Sequence, residues 1–295
     1  MQAVWTENED LVQARMRNIE DALREDVGRA DWTAMLVPDR AVSATVIVRE
    51  SAVLCGTEWF SGCLLALDPS ASVEWCAADG DRLEPNQQVC EIRAHSRALL
   101  SAERPALNFL QTLSATATQT ARYVSAIVGA SPNPRGCVIL DTRKTLPGLR
   151  QAQKYAVRMG GGMNQRLALW DGILIKENHI AAVGGIRAAL EAARALNAGV
   201  SIQVEVESLD ELNQALEAGA QSILLDNFSL QGLRAAVTQS WSYAENKGEP
   251  AALLEASGGL SFEQLRAVAQ TGVDRISVGR LTKDITAVDY SLRVA

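Results

Sequence analysis

The sequence predicts an α/β protein in two parts: a mixed α+β unit over residues 1–113, then parallel β–α units arranged as a barrel. Three observations carry this. From residue 135, short apolar runs recur as CVILD, GILIK, SIQVEVE, SILLD, ALLEAS and RISVG, with helical patterns between most of them. That is the rhythm of parallel β–α repeats. The runs are nearly continuous in apolar residues, as strands covered on both faces must be. Nearly every run ends in a charged or small polar residue: Asp141, Lys176, Glu205 with Glu207, Asp226, Glu255 with Ser257, and Gly279. A barrel gathers all such ends around one mouth. An open sheet would concentrate them at its switch point. Six decorated ends favour the barrel.

Residues 7–27 carry apolar residues at helical spacing, with Leu11, Ala14, Met16, Ile19, Leu23 and Val27 mostly on one side, which predicts one or two amphipathic helices. Residues 42–92 read as β-rich: VSATVIVRE, SAVLCG and VEWCAADGDRL alternate with turn signals. Residues 97–129 read as helical, a second part starting at Arg104-Pro105. Further on, IRAALEAARALN, LDELNQALEAG, LQGLRAAVTQSW and SFEQLRAVAQTG are the helical segments between strands.

Composition narrows the function. The chain has 295 residues, 47% hydrophobic and 21% charged, enough for a core without covalent staples. A net charge of −7 argues against a nucleic-acid partner, which would call for a basic face. It leaves room for a basic pocket that takes a small anion. The five cysteines, Cys55, Cys63, Cys76, Cys90 and Cys137, form no CxxC pair and are odd in number, which fits reduced thiols in a cytoplasmic protein. The polar, acidic start MQAVWTENED resembles neither a signal nor a transit peptide. No apolar run reaches the ~18 residues of a membrane span.

The densest chemistry is DTRKTLPGLR, residues 141–150. Arg143 and Lys144 follow a strand end and together suit a carboxylate or phosphate, the first as a bidentate fork and the second as a point charge. RK alone would read as a solvated turn. KYAVRMGGGMNQR follows, with Arg158 and Arg166 flanking Gly160, Gly161 and Gly162. Lys176 then closes the apolar run GILIK, where an ammonium needs a ligand or a partner. Glu205 and Glu207, two apart, would share a strand face, and Asp226 ends ILLD. Acidic oxygens beside a polyanion suit Mg²⁺, or they pair with the lysines. Ser257, Gly258, Gly259 and Gly279 follow the last two strands, where barrels often hold phosphate, and Arg280 could add charge there. His95 and His179 are too few for a histidine-rich zinc site. His179 suits either acid–base work or a structural hydrogen bond. There is no GxSxG elbow and no Walker loop.

Taken together, the blocks DTRKTLPGLR, KYAVRMGGG, LIKENHI, VEVES, LLDN and SGG make the chain similar to the quinolinate phosphoribosyltransferases. The similarity runs from REDVGRADWT, through LSAERPALNFLQTLSATAT, to ISVGRLTKDITAVDYSL. It implies an N-terminal α/β sandwich domain (1–113), an incomplete (β/α) barrel (114–280), and a C-terminal segment (281–295) that returns to the first domain. It implies a homodimer, or a higher assembly of dimers, with Arg104 reaching into the partner's site. The implied substrates are quinolinate and phosphoribosyl pyrophosphate, with Mg²⁺ and no membrane or nucleic acid. Arg143, Lys144, Arg166 and Lys176 would hold quinolinate's carboxylates and part of the donor. Glu205 and Asp226 would lie near ribose and metal, and Ser257, Gly258, Gly259 and Gly279 at the 5′-phosphate. Lys144, Glu205 and Asp226 are the implied catalytic residues. One departure stands out: Gln165 occupies a position where the family often has histidine, so a titratable group is lost there.

Two other classes fit parts of the pattern. A barrel aldolase would use Lys176 as a Schiff-base amine, which leaves Arg143, Arg166 and the acids unexplained. A non-catalytic phosphate-binding module would bind without turnover, and Gln165 is the feature that leans that way.

Overall fold

The computed structural model describes residues 8–294. The first seven residues and Ala295 lie outside it, and with them the reading of the extreme N-terminus.

The chain forms two compact units. One takes the residues up to Ala121, Lys144–Gly161, and those from Arg280 onward; the other takes Arg122–Arg143 and Gly162–Gly279. The division expected between residues 113 and 114 falls inside one continuous helix, α3 (Ser96–Ile127), which runs through Pro105 without restarting there.

The first unit begins with α1 (Leu11–Asp26). Its start is fixed by a capping box: Asp10 accepts from the Gln13 N–H at 2.8 Å, and Gln13 accepts from the Asp10 N–H at 3.0 Å. The buried stripe is Ala14, Asn18 and Leu23, whereas Met16 is exposed. The expected one-sided set was therefore too wide, because Met16 lies about 200° around from Ala14 at 100° per residue. Strands β1 (Ala41–Val48) and β2 (Ala52–Val53) follow.

Next comes α2 (Thr57–Leu67), in a stretch that reads as β-rich. Its apolar side chains Trp59, Phe60, Cys63 and Leu64 are all buried. The Asp79 carboxylate accepts from the N–H groups of Gly56 and Thr57 at its start, the charge preferred at a helix N-terminus. Burial and this cap override the local β preference.

Strands β3 (Ser72–Trp75), β4 (Arg82–Leu83) and β5 (Gln88–His95) lead into α3, and α4 (Arg150–Met159) also belongs to this unit. The last strand, which we number β12 (Tyr290–Val294), pairs antiparallel with β1, giving a sheet ordered β12-β1-β5-β3. Alternate residues of β1 (Ala44, Val46, Val48) are buried in one core with Leu99, Leu107, Leu110 and Leu113 of α3 and the apolar face of α2. Gly160 packs where a Cβ would lie 2.4 Å from the Ala117 carbonyl oxygen. That contact accounts for a glycine in the triple-glycine run as helix packing.

The second unit is the β–α repeat. Its strands are β6 (Val138–Leu140), β7 (Gly172–Ile175), β8 (Ser201–Val206), β9 (Ser222–Asp226), β10 (Leu253–Ser257) and β11 (Arg275–Ser277). The helices are α5 (Glu177–Val183), α6 (Ile186–Ala195), α7 (Leu209–Glu217), α8 (Leu230–Lys247) and α9 (Leu265–Ala269); the short α10 (Arg280–Lys283) falls in the first unit. All six strands are parallel, in the order β6-β11-β10-β9-β8-β7. That order is consecutive around a ring, with one seam between the first strand and the second. Such a sheet is a barrel left open at one place, as expected. In the seam the backbone of Met163 bridges to β6, its N–H donating to the Ile139 carbonyl at 2.9 Å.

Candidate active site

Because the strands are parallel, their C-terminal ends share one rim. The charges on that rim are sorted by strand. Cations flank the seam: Arg143 just beyond β6, Arg166 on the segment crossing toward β7, and Lys176 just beyond β7. The next two strands carry the acids, Glu205 on β8 and Asp226 at the end of β9. The remaining two end in small residues, Ser257-Gly258-Gly259 after β10 and Gly279 after β11.

The cationic end is built under strain of charge. The Nε of Arg143 is buried and has no hydrogen-bond partner among the described residues. Among the described residues, Arg166 donates from Nη1 to a carbonyl, that of Gly172, at 2.9 Å. Burial pushes the Arg166 guanidinium's pKa down, and the nearby Arg143 charge lowers it further. Two like charges sharing a desolvated place are stabilised by an anion.

The segment that carries Arg166 is held firmly. Asp141, fully buried at the end of β6, accepts from Asn164 Nδ2 at 2.6 Å and from the Gln165 N–H at 2.9 Å. Thus Asp141 is a scaffold acid here.

Lys176 donates to both oxygens of Glu205, at 3.0 and 2.7 Å. The Lys176 side chain is 44% exposed and that of Glu205 only 8%, so the pair offers its cationic face outward. The sequence alternatives of ligand contact and ion pairing are therefore compatible. Glu207 departs from expectation. It lies past the end of β8 and is exposed, so it does not join Glu205 on a shared face. Asp226 accepts from the neighbouring Asn227 Nδ2 at 2.8 Å.

The turn after β10 needs its glycine. Gly258 has φ +103° and a Cβ there would lie 2.2 Å from Asn227 Oδ1 and 2.7 Å from the Asn227 backbone nitrogen. The Asn227 N–H donates to the Ser257 carbonyl at 3.0 Å. The β9 and β10 loops therefore pack backbone to backbone beside the acids.

The other candidates take the following places. His179 Nδ1 accepts from the Lys176 N–H at 3.0 Å at the start of α5, a capping role. Lys144 and Arg104 are both exposed and belong to the first unit. Lys144's carbonyl accepts from the Thr282 hydroxyl at 2.7 Å. Arg158 also falls in the first unit, over the Tyr155 ring. Two residues of the second unit carry weight that their sequence context hides. Gln203, inside β8, and Glu255, inside β10, are buried and bonded to each other. The clue in sequence was polarity alone: each interrupts an apolar run.

Comparison with known proteins identifies the family. A family model described as "Quinolinate phosphoribosyl transferase, C-terminal domain" matches residues 116–293, and one for the N-terminal domain matches residues 31–114. The chain belongs to the quinolinate phosphoribosyl transferase family. It is 41% identical over 282 residues to a nicotinate-nucleotide pyrophosphorylase [carboxylating] of Mycobacterium leprae, covering 93% of this chain and 95% of that one. It is 34% identical to the Homo sapiens protein of the same name, covering 94% and 90%. Among solved structures, the nicotinate-nucleotide pyrophosphorylase from Francisella tularensis superposes with a TM-score of 0.89 at 39% identity, covering 98% of this chain and all of that one. The family match absorbs DTRKTLPGLR, LIKENHI and SGG together, which neither the aldolase nor the phosphate-module reading does. No helix among the described residues is long and apolar enough to cross a membrane.

Proposed function

We propose that the sorted rim divides two substrates between its halves. The reaction is that of the family, a pentosyl transfer from phosphoribosyl pyrophosphate to quinolinate with loss of CO₂, giving nicotinate mononucleotide for NAD biosynthesis. Quinolinate is a planar dianion, and the seam presents Arg143, Arg166 and Lys176 to it. Ribose lies at Glu205 and Asp226. The 5′-phosphate lies at Ser257, Gly258, Gly259 and Gly279, where tight turns let backbone N–H groups approach. Lys144, next in the chain after Arg143, is assigned to the departing pyrophosphate.

The pyridine nitrogen attacks the anomeric carbon as the bond to pyrophosphate breaks, and pyrophosphate leaves with the electron pair. Positive charge develops on the ribose ring, and Glu205 and Asp226 stabilise it from fixed positions. The carbon–carbon bond to the 2-carboxylate then breaks. CO₂ leaves, the electrons pass to the ring carbon beside the cationic nitrogen, and that carbon takes a proton from solvent. Lys144 orients and neutralises; no side chain is a nucleophile.

Mg²⁺ fits this donor set in a limited way. Among the described residues no group of three or more His, Cys, Asp or Glu gathers as a metal site. Magnesium commonly uses one or two carboxylates plus substrate phosphates, and Glu205 and Asp226 would supply those. When bound, the ion neutralises pyrophosphate charge.

Arg104, exposed on α3, is assigned to the partner's site in a homodimer or an assembly of dimers. The five free thiols support a cytoplasmic setting.

The observation that carries this reading is the buried, unpartnered Nε of Arg143 beside a second guanidinium. The test is turnover with quinolinate, phosphoribosyl pyrophosphate and Mg²⁺, following CO₂ and nicotinate mononucleotide together, with nicotinate as control. Equal yields of both from quinolinate alone are expected. Silence with quinolinate would sink the substrate assignment.

A further inference from the structure

Beneath the cationic seam runs a chain of side chains whose direction is set from one end. The Arg166 backbone N–H can only donate, and it donates to Gln165 Oε1 at 2.5 Å. The Gln165 amide nitrogen therefore turns inward and donates to Gln203 Oε1 at 2.6 Å. Gln203 must then present its own nitrogen to Glu255 Oε2, at 2.9 Å. Gln203 and Glu255 are 6% and 1% exposed, so water does not compete for these bonds. The other Glu255 oxygen, Oε1, is buried with no hydrogen-bond partner among the described residues. Glu255 is thus held by an amide from β8 while its second oxygen stays uncommitted.

The chain reaches far. Gln165 lies in the seam beside β7, Gln203 on β8 and Glu255 on β10, with β9 between the last two. The links therefore cross the barrel interior instead of following the sheet. At the outer end, Asp141 pins Asn164 and the Gln165 N–H, and the Gly172 carbonyl holds the Arg166 guanidinium.

We propose that Gln165, Gln203 and Glu255 act as one positioning unit that sets the angle of Arg166 toward a planar carboxylate, with Glu255 as the inner anchor. The inference rests on the reading of Arg166 as a quinolinate-binding residue. A bidentate guanidinium fork tolerates little misplacement, and displacement by about 1 Å can cost about a hundredfold in rate. Without an acceptor at 255, the Gln203 amide is free to turn over and bond another partner. Gln165 then loses its inward acceptor, and the backbone N–H of Arg166 loses a fixed one. Gln165, where the family often has histidine, suits this task because an amide cannot exchange its donor and acceptor ends by protonation.

The experiment compares Glu255→Leu and Glu255→Gln with wild type. In steady-state assays, Glu255→Leu should raise KM for quinolinate about tenfold while KM for phosphoribosyl pyrophosphate stays within about twofold, since only the carboxylate fork is displaced. Glu255→Gln keeps a carbonyl that accepts from Gln203, and should bring KM for quinolinate back within about threefold of wild type. A merely structural loss would lower the active fraction and leave both KM values alone. If Glu255→Leu does not fold, Gln165→Met cuts the chain at its outer end and should give the same split. The side-chain amide NMR signals of ligand-free enzyme are the second readout. Glu255→Leu should shift the Gln203 and Gln165 signals together, because both side chains bond toward Glu255. An unshifted Gln165 signal, or an unchanged KM for quinolinate in folded Glu255→Leu or Gln165→Met, would overturn the proposal. Silence of wild type with quinolinate would overturn the substrate assignment instead, and the amide signals would still decide whether the three residues act as one.

Discussion

The two ends of the parallel sheet use the same residue types in opposite ways. At the N-terminal rim, Arg135 pairs with Asp274 at 2.8 Å and donates to the Ala251 carbonyl at 2.9 Å. Asp274 also accepts from Asn133 at 2.9 Å and from the Leu254 N–H at 2.8 Å. The Arg135 guanidinium lies 5.0 Å from the centre of the Trp241 ring. Charge there is neutralised and every named donor has an acceptor. At the C-terminal rim, Arg143 and Arg166 repel each other, and the buried Arg143 Nε lacks a partner among the described residues. One end is complete without a ligand, and the other becomes complete when an anion arrives. Barrels generally put stability at the first end and chemistry at the second; here the hydrogen-bond inventory draws the same line.

The contrast is broken most directly by deleting one cation at each rim. Arg143→Ala or Arg166→Ala should lower kcat/KM about a thousandfold, or about 4 kcal/mol of transition-state stabilisation. Stability should stay level or rise, because the remaining guanidinium loses a like-charged neighbour. Paired turnover assays and thermal melts check this. A variant that melted early but kept its kcat/KM would assign Arg143 to the scaffold.

The opposite rim should give the mirror result. Asp274→Ala leaves Arg135, Asn133 and the Leu254 N–H without their shared acceptor, and should cost about 3 kcal/mol of stability, as loss of one partner of a buried ion pair does. Urea titration measures that loss. KM for quinolinate, taken well below the melting temperature, should be unchanged. A changed KM would mean that the two rims are coupled through the strands.

Much of this division was legible in the sequence, for a physical reason. Strands buried on both faces must be apolar along their length, so β6 to β11 announce themselves, and the polar residue that ends each marks the rim. What escaped depends on contacts distant in sequence. Helix α2 is so apolar, with Trp59, Phe60, Cys63 and Leu64 all buried, that periodicity cannot separate it from a strand. The grouping of Lys144–Gly161 with the first unit has no local signature. Glu205 and Glu207 look equivalent at spacing two, yet the strand stops between them. Gln203 carries no motif, and its meaning lies in Gln165 and Glu255, 38 and 52 residues away. For His179 the sequence left acid–base work and a structural hydrogen bond both open, and the structure shows the hydrogen bond, at the start of α5.

The smallest effect tests the uncommitted carboxyl. Burial pushes the Glu255 pKa above the ordinary carboxylate range, while bonds from Gln203 and Ser277, the charge of Arg275 on β11, and Gln165 pull it partly back. The sign follows from linkage. Above its unfolded-state pKa and below its folded one, Glu255 holds more proton in the folded protein than in the unfolded chain. Its contribution to stability is therefore full below the unfolded value and is lost as pH rises through the folded value. Glu255→Gln carries no titrating proton at this site. Its stability relative to wild type should climb as pH rises across that window and level off above it. Urea denaturation of both proteins, at a series of pH values from about 4 to about 9, reads the difference directly. Parallel curves would mean that Glu255 titrates alike folded and unfolded, so its buried oxygen must then be satisfied by water or a cation. A widening gap would show that burial raises the Glu255 pKa in the folded protein, the cost expected of a carboxyl oxygen left inside β10 without a donor among the described residues.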